Sequence, residues 1–228
     1  MSEQRIICGD SLEVLPTLAP HSFSVAIADP PYIIGGKSIA EPAAKAGTWA
    51  DMVNAATWYR EWLDLTARCL RPSAYLLVFG NWRSLPTYLC AAARCSLLSP
   101  VSCMVWDKQW IGTGGPSQLR PRWELVLWLA MPEATIADRS APDIESEKWS
   151  GNMATSGHPA EKPVALLARL LALADPSGGP VLDPFAGRGS AGLAARALGR
   201  DYLGIEENEE HAAAGKRYLE AAASQISL

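Results

Sequence analysis

Four acidic residues stand where apolar, strand-like runs of this sequence end: Asp10, Asp29, Asp183 and Glu206. One acid at such a place is usually solvated or caps a helix. Four at equivalent places indicate a shared crevice, because the carboxyl ends of parallel strands meet at one edge of a sheet. Carboxylates there can accept hydrogen bonds from hydroxyl and amine groups. The sequence therefore predicts a polar ligand site at that edge.

The second of these acids begins the tetrapeptide Asp29-Pro30-Pro31-Tyr32. Proline fixes φ and has no N–H, so two successive prolines make a stiff turn whose carbonyl oxygens lack competing local donors. The aspartate and these carbonyls are hydrogen-bond acceptors, and the tyrosine ring offers a face on which a flat group can stack. The alternative is a turn that ends a strand and has no chemistry.

A glycine-rich loop follows the third acid. Gly187 and Gly189 permit a tight turn, so N–H groups at the start of the next helix can face a polar or anionic ligand group. Glu206 lies 17 residues beyond Gly189, at the end of the next strand. A carboxylate at that place can accept both hydrogens of a ribose diol. A nucleoside-containing ligand is therefore predicted, and the lack of a G-x-x-x-x-G-K-[ST] motif disfavours ATP.

Strand-like and helical runs alternate along the chain. We predict seven strands, near residues 5–10, 24–32, 74–81, 101–106 and 124–130 and before Asp183 and Glu206, with helices over 52–70, 159–174, 191–199 and 209–226. Such alternation is typical of the α/β class, with a mixed, mostly parallel sheet and helices on both faces. The Gly/Pro-rich connection after 101–106 suits an antiparallel excursion. Residues 131–157 are polar and without period, which predicts a loop or small insert.

Composition and charge limit the class of protein. A chain of 228 residues with 49% apolar and 19% charged residues predicts a single domain over 1–228 with a packed core. No apolar run reaches membrane-spanning length and no signal peptide is evident, so we expect a cytoplasmic protein. A net charge of −4 disfavours a wholly basic nucleic-acid binder but permits one basic face. The five cysteines lack CxxC spacing, so no metal site is predicted.

Several motifs in a defined order carry a family resemblance. DPPY, HPAEKPVALLARLL, LDPFAGRGS and YLGIE occur in this order, together with VWDK and WELVLW. With them the chain, from ICGDSLEVL to GKRYL, resembles the amino-methyltransferases that modify exocyclic amines of DNA bases with S-adenosylmethionine. The motif order is similar to that of the β group. The resemblance implies a Rossmann-like methyltransferase fold with circularly permuted motifs, in which the strands before Asp29 and Asp183 are neighbours.

The resemblance also implies roles for individual residues. Asp29 and the Pro30 carbonyl would accept the hydrogens of an amine on a base flipped out of double-stranded DNA, and Tyr32 would stack on that base. These residues and Pro31 form the predicted catalytic set. Asp10 would contact the adenine of the cofactor, and Lys162 with its helix would cover the cofactor pocket. The predicted cofactor-binding residues are Asp10, His158, Lys162, Asp183, Pro184, Phe185, Ala186, Gly187, Gly189, Ser190 and Glu206.

The acceptor base is predicted from Asp29. An aspartate at this position resembles the adenine-N6 enzymes more often, whereas a serine is more usual for cytosine N4. Cytosine N4 is the first alternative, and an RNA or protein-amide methyltransferase and an inactive DNA-binding module are the others.

The glycine loop departs from the family pattern in two places. Arg188 stands where a small residue is commoner, and Ser190-Ala191 stands where two threonines are frequent.

Contacts to DNA are predicted outside residues 132–157. This segment has five acids and two bases, a net charge of −3, and is therefore unsuited to binding phosphates. The candidates are Lys108, Arg120 and Arg122 around the glycine-rich connection, together with residues 33–50. Because the segment is small, we expect a short or relaxed target sequence, or a homodimer in which a second subunit supplies DNA contacts.

Overall fold

The computed structural model describes residues 2–32, 49–112, 116–117, 119–149 and 161–224, with the backbone alone for 49–54, 223 and 224. Its strands are β1 (Gln4–Cys8), β2 (Phe23–Ala28), β3 (Leu70–Gly80), β4 (Ser99–Asp107), β5 (Trp123–Ala130), β6 (Ile144–Ser146), β7 (Val181–Asp183) and β8 (Tyr202–Glu206). Its α-helices are α1 (Ser11–Val14), α2 (Trp49–Cys69), α3 (Leu85–Ala92), α4 (Val164–Ala174), α5 (Ser190–Ala197) and α6 (Glu209–Ser224). A short 3₁₀ helix (Leu15–Thr17) follows α1.

The eight strands form one sheet in the order β1-β8-β7-β2-β3-β5-β4-β6. Only β5 runs antiparallel to its neighbours among these strands, as the glycine-rich connection predicts. The predicted adjacency is confirmed, because β2 pairs with β7, with Val25 opposite Val181. β8 lies between β7 and β1. The loops that follow β1, β8, β7 and β2 therefore open at the same edge of the sheet.

The structure confirms the α/β class and corrects the strand count from seven to eight. The additional strand, β6, lies in the segment predicted as a loop and pairs in parallel with the edge strand β4. Its three residues, Ile-Glu-Ser, are too few and too polar for an alternating pattern to be visible in the sequence. The short helix α3, which carries a proline in its first turn, is also absent from the sequence-based prediction.

Helices cover both faces of the sheet. Side chains of α4, α5 and α6, such as Leu170, Ala194 and Leu219, pack with one face, and those of α2 and α3 pack with the other. All six residues of β2 are buried, which explains its continuous apolar run. Asp29 directly follows this strand and so stands near the middle of the sheet. Within the described residues, no helix combines the length and the apolar character that a membrane span needs.

Candidate active site

A cavity of about 690 Å³ lies beyond the carboxyl ends of β1, β8, β7 and β2. It brings together the four acids Asp10, Asp29, Asp183 and Glu206, although they are up to 196 positions apart in the chain. The other predicted site residues that line it are Pro30, Pro31, Tyr32, Lys162, Pro184, Phe185, Ala186, Gly187 and Ser190. His158 and residues 33–48 lie outside the described residues.

Gly187 of the glycine loop and Glu206 form one side of the cavity, whereas the predicted cofactor-binding residue Gly189 lies outside its lining. Gly189 caps the start of α5 with φ of 84°, and Gly187 has φ of 53°, so both occupy the left-handed region that favours glycine. Glu206 accepts the Gly187 N–H at 2.8 Å through Oε2 and the Asn208 N–H at 2.9 Å through Oε1. Each carboxylate oxygen keeps a further lone pair for a ligand. The backbone thus fixes the carboxylate that is predicted to bind a ribose.

Asp10 and Ser190 stand at the starts of two helices. Asp10 caps α1, because its carboxylate accepts the Leu12 N–H at 2.8 Å. The Ser190 hydroxyl donates to Glu161 at 2.9 Å and so ties α5 to the chain just before α4. Both residues also line the cavity, so their structural bonds and the predicted contacts with a cofactor are compatible.

Asp183 is a buried acid at the base of the cavity. Its carboxylate accepts the Phe185 N–H and the Tyr202 hydroxyl, each at 3.0 Å. Burial raises the pKa of Asp183 to about 7, with smaller contributions in the same direction from Asp29 and Glu206, while the two donors oppose the shift. Near neutral pH, Asp183 is therefore present in both protonation states.

Stability should depend on pH through Asp183. Between its ordinary pKa of 3.8 and about 7, the folded chain binds a proton that the unfolded chain has released. The free energy of unfolding should therefore fall as pH rises through this window, and Asp183→Asn should remove that part of the dependence. Urea unfolding of both proteins from about pH 4.5 to about pH 8 measures the difference. The exposed Asp143→Asn is the control, and parallel curves for wild type and Asp183→Asn would contradict the expectation.

Two donors hold the carboxylate of Asp29. Lys162 Nζ lies 2.6 Å from Oδ2, and the Tyr32 hydroxyl donates to Oδ1 at 2.6 Å. Lys162 is 9% exposed and lies 5.3 Å from the centre of the Tyr32 ring. Burial, together with Asp29 and Glu124, raises the pKa of Tyr32 well above its ordinary value, so the phenol stays a donor. Lys162 thus contacts the predicted catalytic acid as well as lining the cavity.

Glu124 is a residue of this site that sequence reasoning misses. Its Oε1 lies 3.0 Å from Lys108 Nζ, and its Oε2 lies 3.4 Å from Lys162 Nζ and 3.2 Å from the Tyr32 hydroxyl. Burial alone would raise the pKa of Glu124, but Lys162 and Lys108 outweigh it and the pKa is lowered. The sequence feature that could have indicated Glu124 is its place as the one charged residue, at the second position, of the otherwise apolar strand β5.

The two prolines present their carbonyls differently. The Pro31 carbonyl accepts the hydroxyl of Tyr59, a buried side chain whose ring packs edge-on against Tyr88 with centroids 4.7 Å apart. Within the described ranges, no donor reaches the Pro30 carbonyl. The turn is thus fixed from the core by Tyr59, and the described residues leave the Pro30 oxygen without a donor.

The three cations predicted to contact DNA have different surroundings. Lys108 is 12% exposed and its charge is paired with Glu124. Arg122 is 54% exposed and binds both oxygens of Asp107 at 2.7 Å. Arg120 donates to the Gly112 carbonyl at 2.8 Å. The two arginines thus lie on the surface around the β4–β5 connection, whereas Lys108 belongs to the internal network.

The sequence and the fold of this chain are similar to those of known proteins. The family model N6_N4_Mtase, described as DNA methylase, matches residues 23–217. The chain is similar to an Escherichia coli (strain K12) protein named "Putative methylase YubD", at 31% identity over 217 residues, 95% of this chain and 90% of that protein. Two solved structures also match. PvuII DNA methyltransferase (cytosine-N4-specific) has a TM-score of 0.75 at 17% identity, covering 95% of this chain and 86% of that one. The M1.HpyAVI–SAM complex has a TM-score of 0.69 at 20% identity, covering 95% and 100%.

Proposed function

Because this chain belongs to the N6_N4_Mtase family of DNA methylases, we propose that it methylates adenine N6 in double-stranded DNA. S-adenosylmethionine is the methyl donor. The single observation that carries the proposal is the carboxylate of Asp29, held at 2.6 Å by both Lys162 and Tyr32 in the wall of the cavity. The choice of adenine rests on the aspartate at this position.

The residues around the cavity fit S-adenosylmethionine. The volume of about 690 Å³ lies within the range of small-molecule sites, roughly 300–1,000 Å³. A Cβ placed on Gly187 would meet no atom within 4 Å, so a ligand has room against the loop. Glu206 would hold the ribose diol, and Asp10 the adenine. When bound, the cofactor supplies an electrophilic methyl group on a sulfonium centre.

Asp29 and Pro30 would prepare the target amine. The lone pair of an exocyclic amine is delocalised into the base, which makes the nitrogen a poor nucleophile. Asp29 can accept one N–H and the Pro30 carbonyl the other, and acceptors in these places favour the tetrahedral nitrogen of the transition state. Lys162 fixes the Asp29 carboxylate in the cavity wall, so little reorganisation is needed when the base arrives.

Nucleoside analysis tests the proposed reaction. The protein is incubated with isotope-labelled S-adenosylmethionine and long unmethylated DNA of mixed sequence, and the digested nucleosides are separated and identified by mass spectrometry. Labelled N6-methyladenine is expected. Labelled N4-methylcytosine would show that the acceptor is cytosine N4 and not adenine N6. Cofactor binding without any labelled nucleoside would overturn the proposed activity.

The arginines of the β4–β5 connection should contribute to DNA binding. Replacing Arg120 and Arg122 with alanine should weaken binding and reduce the slope of log affinity against log salt by about one for each phosphate that is no longer neutralised. Cofactor affinity should not change. Fluorescence anisotropy at several salt concentrations measures the slope. Arg5→Ala/Arg71→Ala, on strands β1 and β3, is a control of equal charge change, and an unaltered slope in the first variant would exclude this placement.

A homodimer is the proposed arrangement if the target sequence is long. Residues 132–149 are the described part of the acidic segment 132–157. Their acids Glu133, Asp138 and Asp143 are exposed, and they offer few cations to DNA. A second subunit would then supply the missing contacts. Methylation mapping together with sedimentation tests this, since a monomer that methylates a long, strictly defined sequence would contradict it.

A further inference from the structure

Tyr32 and Lys162 each lie close to the same two carboxylates, those of Asp29 and Glu124. The Tyr32 hydroxyl is 2.6 Å from Asp29 Oδ1 and 3.2 Å from Glu124 Oε2. Lys162 Nζ is 2.6 Å from Asp29 Oδ2 and 3.4 Å from the same Glu124 Oε2. Glu124 Oε2 is thus a second acceptor for both groups that hold Asp29.

This sharing matters because both oxygens of Asp29 already have a donor. A phenol has one hydroxyl hydrogen, so Tyr32 bonds fully to only one carboxylate at a time. Each Asp29 oxygen still has a lone pair for a target amine, but an oxygen that takes a second donor holds the first one, Tyr32 or Lys162, less strongly. Without another acceptor, a donor weakened in this way would be poorly paired in a largely buried site.

We propose that Glu124 is a positioning residue that receives the hydrogen bonds of Tyr32 and Lys162 when a target amine donates to Asp29. The inference rests on the proposed function. Lys108 holds Glu124 Oε1 at 3.0 Å, which keeps Oε2 turned toward the two donors. The exchange needs only small shifts of the Tyr32 hydroxyl and the Lys162 ammonium, and no covalent bond changes.

The position of Glu124 separates this role from cofactor binding. Tyr32 and Lys162 line the cavity, while Glu124 reaches them from outside that lining. It can therefore affect the amine through Asp29 without contacting the cofactor. Loss of Glu124 should lower the rate of methyl transfer at saturating S-adenosylmethionine and leave the affinity for S-adenosylmethionine nearly unchanged.

Glu124→Met tests the inference, because methionine has similar length and no strong acceptor. We expect the single-turnover rate on unmethylated DNA to fall about tenfold or more, while the calorimetric Kd for S-adenosylmethionine stays within about twofold. Glu147→Gln, which removes a carboxylate paired with the surface residue Arg169, is the matched control. An equal rate for Glu124→Met and wild type would overturn the inference.

A second variant distinguishes a lower transfer rate caused by instability from one caused by the missing acceptor. Glu124→Met leaves Lys108 as an unpaired, largely buried charge, which alone can destabilise the chain. Lys108→Met/Glu124→Met removes both charges, so its stability should recover while its transfer rate stays low. A rate restored to that of wild type would show that Glu124 serves only to neutralise Lys108, and would overturn the inference.

A third variant asks whether Glu124 acts through the shared donors. In a Tyr32→Phe background one of the two donors is absent, so Glu124→Met should cost less than it does in wild type. Strictly additive losses would count against the inference.

The activity of the wild-type protein distinguishes failure of the Glu124 role from failure of the proposed function. If wild type labels DNA and the variants behave otherwise than expected, only the role of Glu124 fails. If wild type labels no DNA, the proposed function fails and the inference with it.

Discussion

Asp29→Ala should reduce methyl transfer to DNA by about a hundred- to a thousandfold, the usual cost of removing one group that stabilises a transition state. The carboxylate accepts an amine hydrogen only while the base is bound, so its loss should appear in the transfer rate at saturating cofactor. The affinity for S-adenosylmethionine should stay nearly intact. Single-turnover rates and calorimetric titration of the same preparation measure the two quantities separately.

Asp29→Asn sharpens this test. Asparagine keeps the size of the side chain but loses the charge that pairs with Lys162 at 2.6 Å. It should be almost as inactive as alanine if the ionised acceptor is what matters. Asp64→Ala, which removes a carboxylate paired with Arg60 on α2, is the control. If Asp29→Ala methylates DNA at near the wild-type rate, the tetrapeptide is only a turn and the proposed active site is wrong.

Glu206→Ala should have the opposite profile. Without its acceptor the ribose diol is left unpaired, at a cost of about 1–3 kcal/mol, so cofactor affinity should fall by about one to two decades. The carboxylate also accepts the N–H of Gly187 at 2.8 Å, so the variant lacks a hydrogen bond that holds the glycine loop. The transfer rate at saturating cofactor should survive.

Two further variants define the role of Glu206. Glu206→Gln retains one carbonyl acceptor and should lie between alanine and wild type in affinity. Glu209→Ala removes an exposed carboxylate at the start of α6, outside the lining of the cavity, and should change little. Calorimetric titration with S-adenosylmethionine gives the affinities of wild type and all three variants. An unchanged Kd for Glu206→Ala would remove this residue from the cofactor site.

The turns that carry the motifs were predictable because their chemistry is local. Two prolines restrict φ whatever surrounds them, and Gly187 and Gly189 indicate a tight turn, in which the structure gives both residues a positive φ. The pairing of β2 with β7 was predictable only through the family resemblance, since nothing local in either strand specifies a partner. Burial on both faces gives such strands similar apolar sequences.

The network around Asp29 could not be predicted because it depends on register between distant segments. Lys162 and Asp29 are 133 positions apart, and Glu124 reaches them from β5, with its carboxylate also bound to Lys108 from the end of β4. From the sequence, Lys108 is a cation near a glycine-rich turn and therefore a candidate for phosphate binding. The three-dimensional structure gives it an internal partner, which the one-dimensional pattern does not contain.

During synthesis, β1 leaves the ribosome long before β8, which is its one neighbour among the described strands of the sheet. At about 5–20 residues per second, roughly 10–40 seconds separate the two strands. For most of this interval β2 also lacks β7, so apolar strands with unpaired edges are exposed to other nascent chains. Slow, long-range pairing of this kind makes the yield of folded protein sensitive to temperature and to chaperones that shield the early strands. It also means that the pocket, whose walls come from the loops after β1 and β2 as well as β7 and β8, forms only after β8 has been synthesised.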